Sequence, residues 1–385
     1  MRKQKIIGIV IIIVIVLAIL GISNRSIFND NEQVIQDKQQ IKQENLTIDE
    51  KVDKIVESMS QTEKLGQMVM IGIQGIKVDD DSLYMLNQYH MGGVILFDRN
   101  MESPEQVKQL TSDLQAQSNE KVPLFIGIDE EGGDVVRMAE KLTPPPSQKE
   151  IGATGDIEQA KTWAIKTAKS LKDMGINVNF APVADVGSND KRSYSTDANT
   201  VIDFVRAATK GYQQENIIYS LKHFPGIGKG KVDSHIDSSS IDVAKEVLMT
   251  EDILPFKTII DESDPNDYFI LVSHLKYLAL DEEYPASLSS KIMTDLLRNE
   301  LGYKGIIITD DMEMGAVANH NDFRSIGVNA VKAGADIVLV CHEYEHQQEV
   351  YLGLLDAVNN GEISQERIDE SIKRIIKVKL LHLYQ

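Results

Sequence analysis

Eight short apolar runs, each followed by a longer charged segment, constrain this chain more than any other feature. From about residue 50 they are QMVMIGI (67–73), GGVILF (92–97), LFIGID (124–129), NVNFAPVADV (177–186), IIYSLKHF (217–224), YFILVSHL (268–275), GIIITDD (305–311) and ADIVLVCH (335–342). A strand exposed on one face alternates apolar and polar residues, whereas an unbroken apolar run is buried on both faces. The intervening segments, such as SPEQVKQLTSDLQAQSNE and SSKIMTDLLRNELGY, space their apolar residues as helices do. Strand and helix alternating eight times predicts a single closed (β/α)8 barrel of the TIM type. A doubly wound open sheet uses the same elements, but the count of eight and the lack of a G-x-G-x-x-G after the first run weigh against it.

The N-terminus reads differently. Residues 6–22, IIGIVIIIVIVLAILGI, carry no charged or polar side chain. At about 1.5 Å per residue they span roughly 25 Å, enough for one transmembrane helix. Arg2, Lys3 and Lys5 precede the run and by the positive-inside rule stay cytoplasmic. The expected layout is a basic stub (1–5), an uncleaved signal anchor (6–22), a polar stalk (23–49) and the barrel (50–385). That makes a single-pass cell-membrane protein with its barrel outside the cytoplasm. A cleaved signal peptide is the rival, yet the run exceeds a usual apolar core and no A-x-A-like site follows it. A lipoprotein needs a cysteine after the run, and the only cysteine is Cys341. That same scarcity excludes a disulfide framework and any multi-cysteine metal site. The net charge of −19 speaks against a nucleic-acid partner, which needs a basic face.

Active sites on such barrels sit at the C-terminal ends of the strands. There the sequence puts Asp129 and Glu131, Asp185, Lys222 and His223, His274, and Asp310 with Asp311. Any one alone reads as a structural ion pair; the set on one rim reads as a site. The densest stretch, LKHFPGIGKGKVDSHIDSS (221–239), follows a strand with glycines at 226, 228 and 230 and then presents Asp233 and His235. Residues i and i+2 of an extended segment project to one side, so Asp233 is able to orient the His235 ring as a proton donor. Asp310, at the end of an apolar strand, is held rigidly as a nucleophile requires, and Asp311 is expected to point the other way, as an orienting or structural group. Asp129 suits vicinal hydroxyls, with Arg137 holding it or reaching the ligand. His223, His235 and the Asp310–Asp311 pair also admit a metal reading, although their spacing matches no zinc pattern. Lys222 admits a Schiff-base reading, with hydroxyl binding preferred.

Several segments together give the chain a family resemblance. EKLGQMVMIG (63–72), GGVILFDRN (92–100), GIDEEGG (127–133), NVNFAPVADV, KRSY (191–194), KHFPGIG followed by DSH, PASLS (285–289), ITDDMEM (308–314), GADIVLV (334–340) and ERIDESIKRI (366–375) recur in order. In these the sequence resembles the glycoside hydrolase family 3 β-N-acetylhexosaminidases of the NagZ type. The resemblance implies that Asp310 is the nucleophile, His235 the acid/base and Asp233 its partner. It implies that Asp129, Arg137, Arg192, Lys222 and His223 hold an N-acetylglucosamine unit. The expected activity is a retaining exo-β-N-acetylglucosaminidase acting on peptidoglycan fragments through a covalent glycosyl-enzyme, with no cofactor and no metal. An N-acetylglucosaminide phosphorylase and a non-catalytic muropeptide-binding protein are the alternatives. The chain departs from the family at Ile227, Lys229-Gly230 and Asp134, and in lacking a proline in IDSSSI. Its end soon after the last helical segment leads to the expectation of no second domain.

Overall fold

The computed structural model describes residues 46–118, 122–138, 142–187, 191–230 and 239–384. The chain divides after Lys51, and the barrel belongs to the unit Val52–Gln385. Eight parallel strands close on one another: β1 (Val69–Gly72), β2 (Gly93–Leu96), β3 (Phe125–Ile128), β4 (Val178–Asn179), β5 (Ile218–Phe224), β6 (Tyr268–Val272), β7 (Ile306–Asp311) and β8 (Ile337–Val340). Each pairs with its sequence neighbours, and β8 returns to β1 with Val338 opposite Val69. The predicted (β/α)8 barrel is therefore the fold. Almost every strand residue is buried, which is why the runs lack alternation.

Side chains fill the barrel. A Cβ added to Gly127 would stand 2.7 Å from Met70 Cε and 2.8 Å from Phe180 Cε2, so a larger residue there would force both side chains to shift. Phe125 and Phe269 meet edge to face, ring centroids 5.2 Å apart. Outside, the helices start on side-chain caps: Ser60 and Ser147 with full capping boxes, Ser103 before Pro104, and Asp197 before Ala198–Gln214.

Two sequence expectations change. The run 177–186 was expected to be one strand, but β4 is only Val178–Asn179. Pro182 has no N–H for a ladder, and the Asn179 side chain turns back to β3, accepting from Glu130 N at 3.0 Å and donating to its carbonyl at 3.1 Å. Asp185 consequently stands in a loop rather than at a strand end. The second change concerns alternation. Between Leu221 and Phe224 β5 advances three residues while β6 advances two, and β7 slips likewise against β8 between Ile308 and Asp311. Each slip is a bulge, a device that re-aims side chains. The bulges carry Lys222–His223 and Thr309–Asp310, at the C-terminal rim.

The opposite rim buries charge for structure. Asp336, at the start of β8, accepts from Ile307 N at 2.9 Å, Ser371 Oγ at 2.6 Å and Arg374 Nη1 at 3.0 Å, and pairs with Arg298. Lys379 donates to Gln67 Oε1 at 2.6 Å and to the Gly92 carbonyl at 2.7 Å. Among the described residues no helix is long and apolar enough to cross a membrane; the anchor (6–22) and most of the stalk lie outside them.

Candidate active site

A cavity of about 300 Å³, at the small end of the range for ligand pockets, opens at the C-terminal ends of the strands. Asp129, Arg137, Arg192, Lys222, His223 and Asp310 all line it. Asp233 and His235 lie outside the described residues.

One wall is a lattice of charges tying the segment after β3 to the end of β5. Lys222 Nζ stands 2.8 Å from Asp129 Oδ1 and 2.6 Å from Glu131 Oε1. Arg137 Nη2 donates to Asp129 Oδ2 at 3.0 Å, so Arg137 holds Asp129 directly. Among the described residues its buried Nε has no hydrogen-bond partner. Arg192 grips Glu131 with two prongs, Nη2 to Oε1 at 2.7 Å and Nε to Oε2 at 2.8 Å. Burial disfavours both carboxylates. Lys222 and Arg137 overcome it at Asp129, and Lys222 and Arg192 at Glu131, so both stay below the usual carboxylate range. Burial likewise opposes the Lys222 ammonium, and Asp129 and Glu131 push it above the ordinary lysine value. An ammonium so held has no lone pair for a carbonyl, which argues against the Schiff-base reading.

His223 is fixed from both sides. Its Nε2 lies 2.9 Å from Arg192 Nη2 and its Nδ1 2.8 Å from Asp185 Oδ2. A guanidinium only donates, so Nε2 accepts and Nδ1–H donates to Asp185, which makes the ring neutral. With both nitrogens engaged, His223 has no lone pair left for a metal. The other Asp185 oxygen accepts from His223 N at 3.1 Å and Ile227 N at 2.9 Å, tying down the start of the loop after β5.

Asp310 and Asp311 stand side by side at the end of β7. Asp310 Oδ1 accepts from Asp311 N at 2.9 Å, and among the described residues Oδ2 has no hydrogen-bond partner. Asp311 was expected to point away, but the bulge in β7 lets both residues line the cavity. Its oxygens are nevertheless engaged: Oδ1 accepts from Cys341 N and Glu313 N, each at 3.1 Å, and Oδ2 lies 3.2 Å from His342 Nε2. The orienting part of the expectation fits this geometry.

Other rim residues sort themselves. His274 does not reach the cavity; Nε2 donates to the Asp311 carbonyl at 2.8 Å and Nδ1 accepts from Ser287 Oγ at 2.7 Å. Glu130 turns behind the wall, where Oε2 accepts from Arg137 N at 2.9 Å and burial pushes its carboxyl up to about 7. Sequence reasoning overlooked Glu131 as the centre of the charge lattice, and His342 with Arg99 at the mouth. His342 closes the eighth apolar run, so its position at the rim was readable.

The closed barrel and its polar rim pocket give the protein the architecture of the (β/α)8 barrels. Residues 60–378 match the glycosyl hydrolase family 3 N-terminal domain, and the chain belongs to that family. It is 35% identical over 326 residues to the β-hexosaminidase A of Pseudoalteromonas piscicida, covering 77% of this chain and 54% of that one. It is 30% identical over 318 residues to the β-hexosaminidase of Nitrosomonas eutropha, covering 79% and 90%. A solved Paenibacillus glycoside hydrolase family 3 β-N-acetylglucosaminidase superposes with a TM-score of 0.81 at 37% identity, over 84% of this chain and 62% of that one. The chain thus spans little more than half the length of the Pseudoalteromonas protein.

Proposed function

We propose that the protein is a retaining exo-β-N-acetylglucosaminidase that releases N-acetylglucosamine from peptidoglycan fragments. The observation that carries this reading is Asp310. One of its oxygens is pinned by a backbone N–H at 2.9 Å, and the other is free of hydrogen bonds among the described residues, in a pocket walled by fixed donors and acceptors. The relatives named as β-hexosaminidases supply the sugar.

In this reading Asp129, Arg137, Arg192 and Lys222 hold the sugar through its hydroxyl and acetamido groups, and His223 serves the same subsite by fixing Arg192. Asp310 Oδ2 bonds to the anomeric carbon while the bond from that carbon to the departing oxygen breaks. His235, oriented by Asp233, gives that oxygen its proton. Water then attacks the anomeric carbon, returns a proton to His235 and displaces Asp310, and two inversions retain the β configuration. An imidazole takes the place of the second carboxylate most retaining enzymes use.

The apolar run 6–22 supports a location. As a signal anchor with Arg2, Lys3 and Lys5 inside, it holds the barrel on a stalk at the outer membrane surface, next to peptidoglycan. The test is to incubate the full-length protein in detergent with purified muropeptides, with and without phosphate, and weigh the released sugar. Free N-acetylglucosamine is expected in both. A sugar 1-phosphate would make the protein a phosphorylase, and binding without release would make it a muropeptide-binding protein. Replacing His235 should slow an unactivated glycoside far more than an aryl glycoside with a good leaving group; equal losses would remove its acid role.

A further inference from the structure

Arg99 and His342 form a pair the sugar site does not use. Arg99 follows β2 and reaches across to the end of β8. Its Nε donates to the Ile73 carbonyl at 2.9 Å and its Nη2 to the Cys341 carbonyl at 2.6 Å. A Cβ on Gly72 would stand 1.8 Å from that Cys341 oxygen and 2.9 Å from Nη2, so the glycine makes the room. The guanidinium lies 4.6 Å over the Phe97 ring. Among the described residues its charge meets carbonyls and a ring but no carboxylate within ion-pair distance; Glu313 and Asp311 act on it only through space.

The remaining corner of the fork, Nη1, faces His342 Nδ1 at 3.3 Å. His342 Nε2 lies 3.2 Å from Asp311 Oδ2, the side chain is 46% exposed, and it lines the same cavity as Asp310. In the neutral ring Nε2–H donates to Asp311 and Nδ1 accepts from Arg99. Protonation turns Nδ1 into a donor, and two N–H groups of like charge then face one space. An oxyanion accepts from both at once. The charged groups around the ring are Asp311 and Glu313 on the β7 side and Arg99 on the β2 side, while the neighbouring Cys341 thiol is pushed up by burial and stays neutral. The hydrogen bond to Asp311 is the largest influence; it outweighs burial and holds the imidazole above its usual value.

We propose that Arg99 and His342 form a proton-linked oxyanion site at the mouth of the sugar cavity, taking a carboxylate carried by the part of the substrate that leaves. This rests on the glycosidase reading. A free oxyanion such as phosphate shares the chemistry, and the test separates the two.

The His342 imidazole is titrated by NMR in the full-length protein, its signal assigned by loss in His342→Gln, with and without acetate or phosphate. Either anion should raise the midpoint, and Arg99→Gln should abolish the rise. In parallel, KM is measured for two aryl N-acetylglucosaminides that differ only in a carboxylate on the leaving ring. The preference for the acidic one should grow about tenfold between pH 8 and pH 5.5, the worth of one hydrogen bond to a charged group, and vanish in His342→Gln. A midpoint unmoved by either anion overturns the site. A midpoint moved by phosphate with no preference between the glycosides overturns the leaving-group assignment. Failure to hydrolyse the neutral glycoside counts against the glycosidase reading and leaves the titration readable.

Discussion

Glu131→Gln tests whether the charge lattice around the cavity is a single unit. The Glu131 side chain is 2% exposed, Lys222 beside it 3% and Arg192 24%, so water does little to screen the exchange. Glutamine keeps the shape and one accepting oxygen. Its amide nitrogen must then face an N–H of Arg192, and the lattice loses one negative charge. Removing one partner of a buried pair costs about 3–5 kcal/mol, and the partial exposure of Arg192 favours the lower figure. At about 2 °C per kcal/mol for a chain this size, Tm should fall by roughly 6–10 °C. The pH dependence has a definite sign. The Glu131 carboxyl is held below its usual value near 4.5, so its contribution is present above that value and is lost as pH falls through the folded one. The gap in Tm between the two proteins should therefore be constant from pH 5 to pH 8 and narrow on acidification. Because Arg192 and Lys222 lose their geometry, kcat/KM for an N-acetylglucosaminide should drop by about 10²-fold. Calorimetry and a chromogenic assay read both. A variant that melts with the wild type, or a gap that widens in acid, would refute the reasoning.

Asp310→Ala should reduce turnover by about 10⁴-fold or more yet leave stability within about 1 kcal/mol, because the side chain forfeits only a local hydrogen bond to Asp311 N; kinetics and denaturant melts read the two separately. Glu130→Gln should stabilise the protein above pH 7 by up to about 3 kcal/mol and match the wild type near pH 4. The wild-type carboxyl, pushed from 4.5 to about 7 by burial, loses stability as pH rises through that window, which melts at several pH values would show. Burial holds the Lys379 ammonium well below its ordinary value near 10.5, so the unfolded chain binds more protons and wild-type stability should rise with pH up to that value. Lys379→Met should flatten that slope, and a slope unchanged in the variant would show that Lys379 is not its source.

The barrel was legible because both-face burial leaves a mark that composition alone cannot imitate: unbroken apolar runs at regular intervals. Which rim gathers the polar cavity was legible too, since Asp129, Lys222 and Asp310, which line it, all stand at the ends of such runs. The bulges were not. Period-two reasoning sends Lys222 and His223 to opposite faces, and Asp310 and Asp311 likewise, whereas the register slips at Leu221–Phe224 and Ile308–Asp311 bring each pair into one cavity. A slip depends on the partner strand, which no local window contains. The same limit hid the pairing of Glu131, placed on the rim by the sequence, because its two cationic partners arrive from positions 192 and 222. Strand β4 was overread for a local reason, because Asn179 and Pro182 carry in their own chemistry the signal that stops a ladder.

Buried charge by itself does not mark the functional end of this barrel. Asp336 and Lys379 are as buried as Glu131, yet they sit at the N-terminal rim. The difference is what remains unspent. Asp336 has its oxygens occupied by Arg298, Arg374, Ser371 and Ile307 N, a closed account of donors against one acceptor. At the C-terminal rim Asp310 Oδ2 and Arg137 Nε have no hydrogen-bond partner among the described residues, and Arg99 carries a charge no carboxylate meets at ion-pair distance. A fold tolerates such open valences only at a cost in stability, and a ligand is the means by which they are filled. In the proposed reading two of these groups define positions for substrate atoms, an acceptor at Asp310 and a donor at Arg99. A substrate lacking the group that meets Arg99 should be turned over through the same Asp310, with a weaker hold on its leaving part.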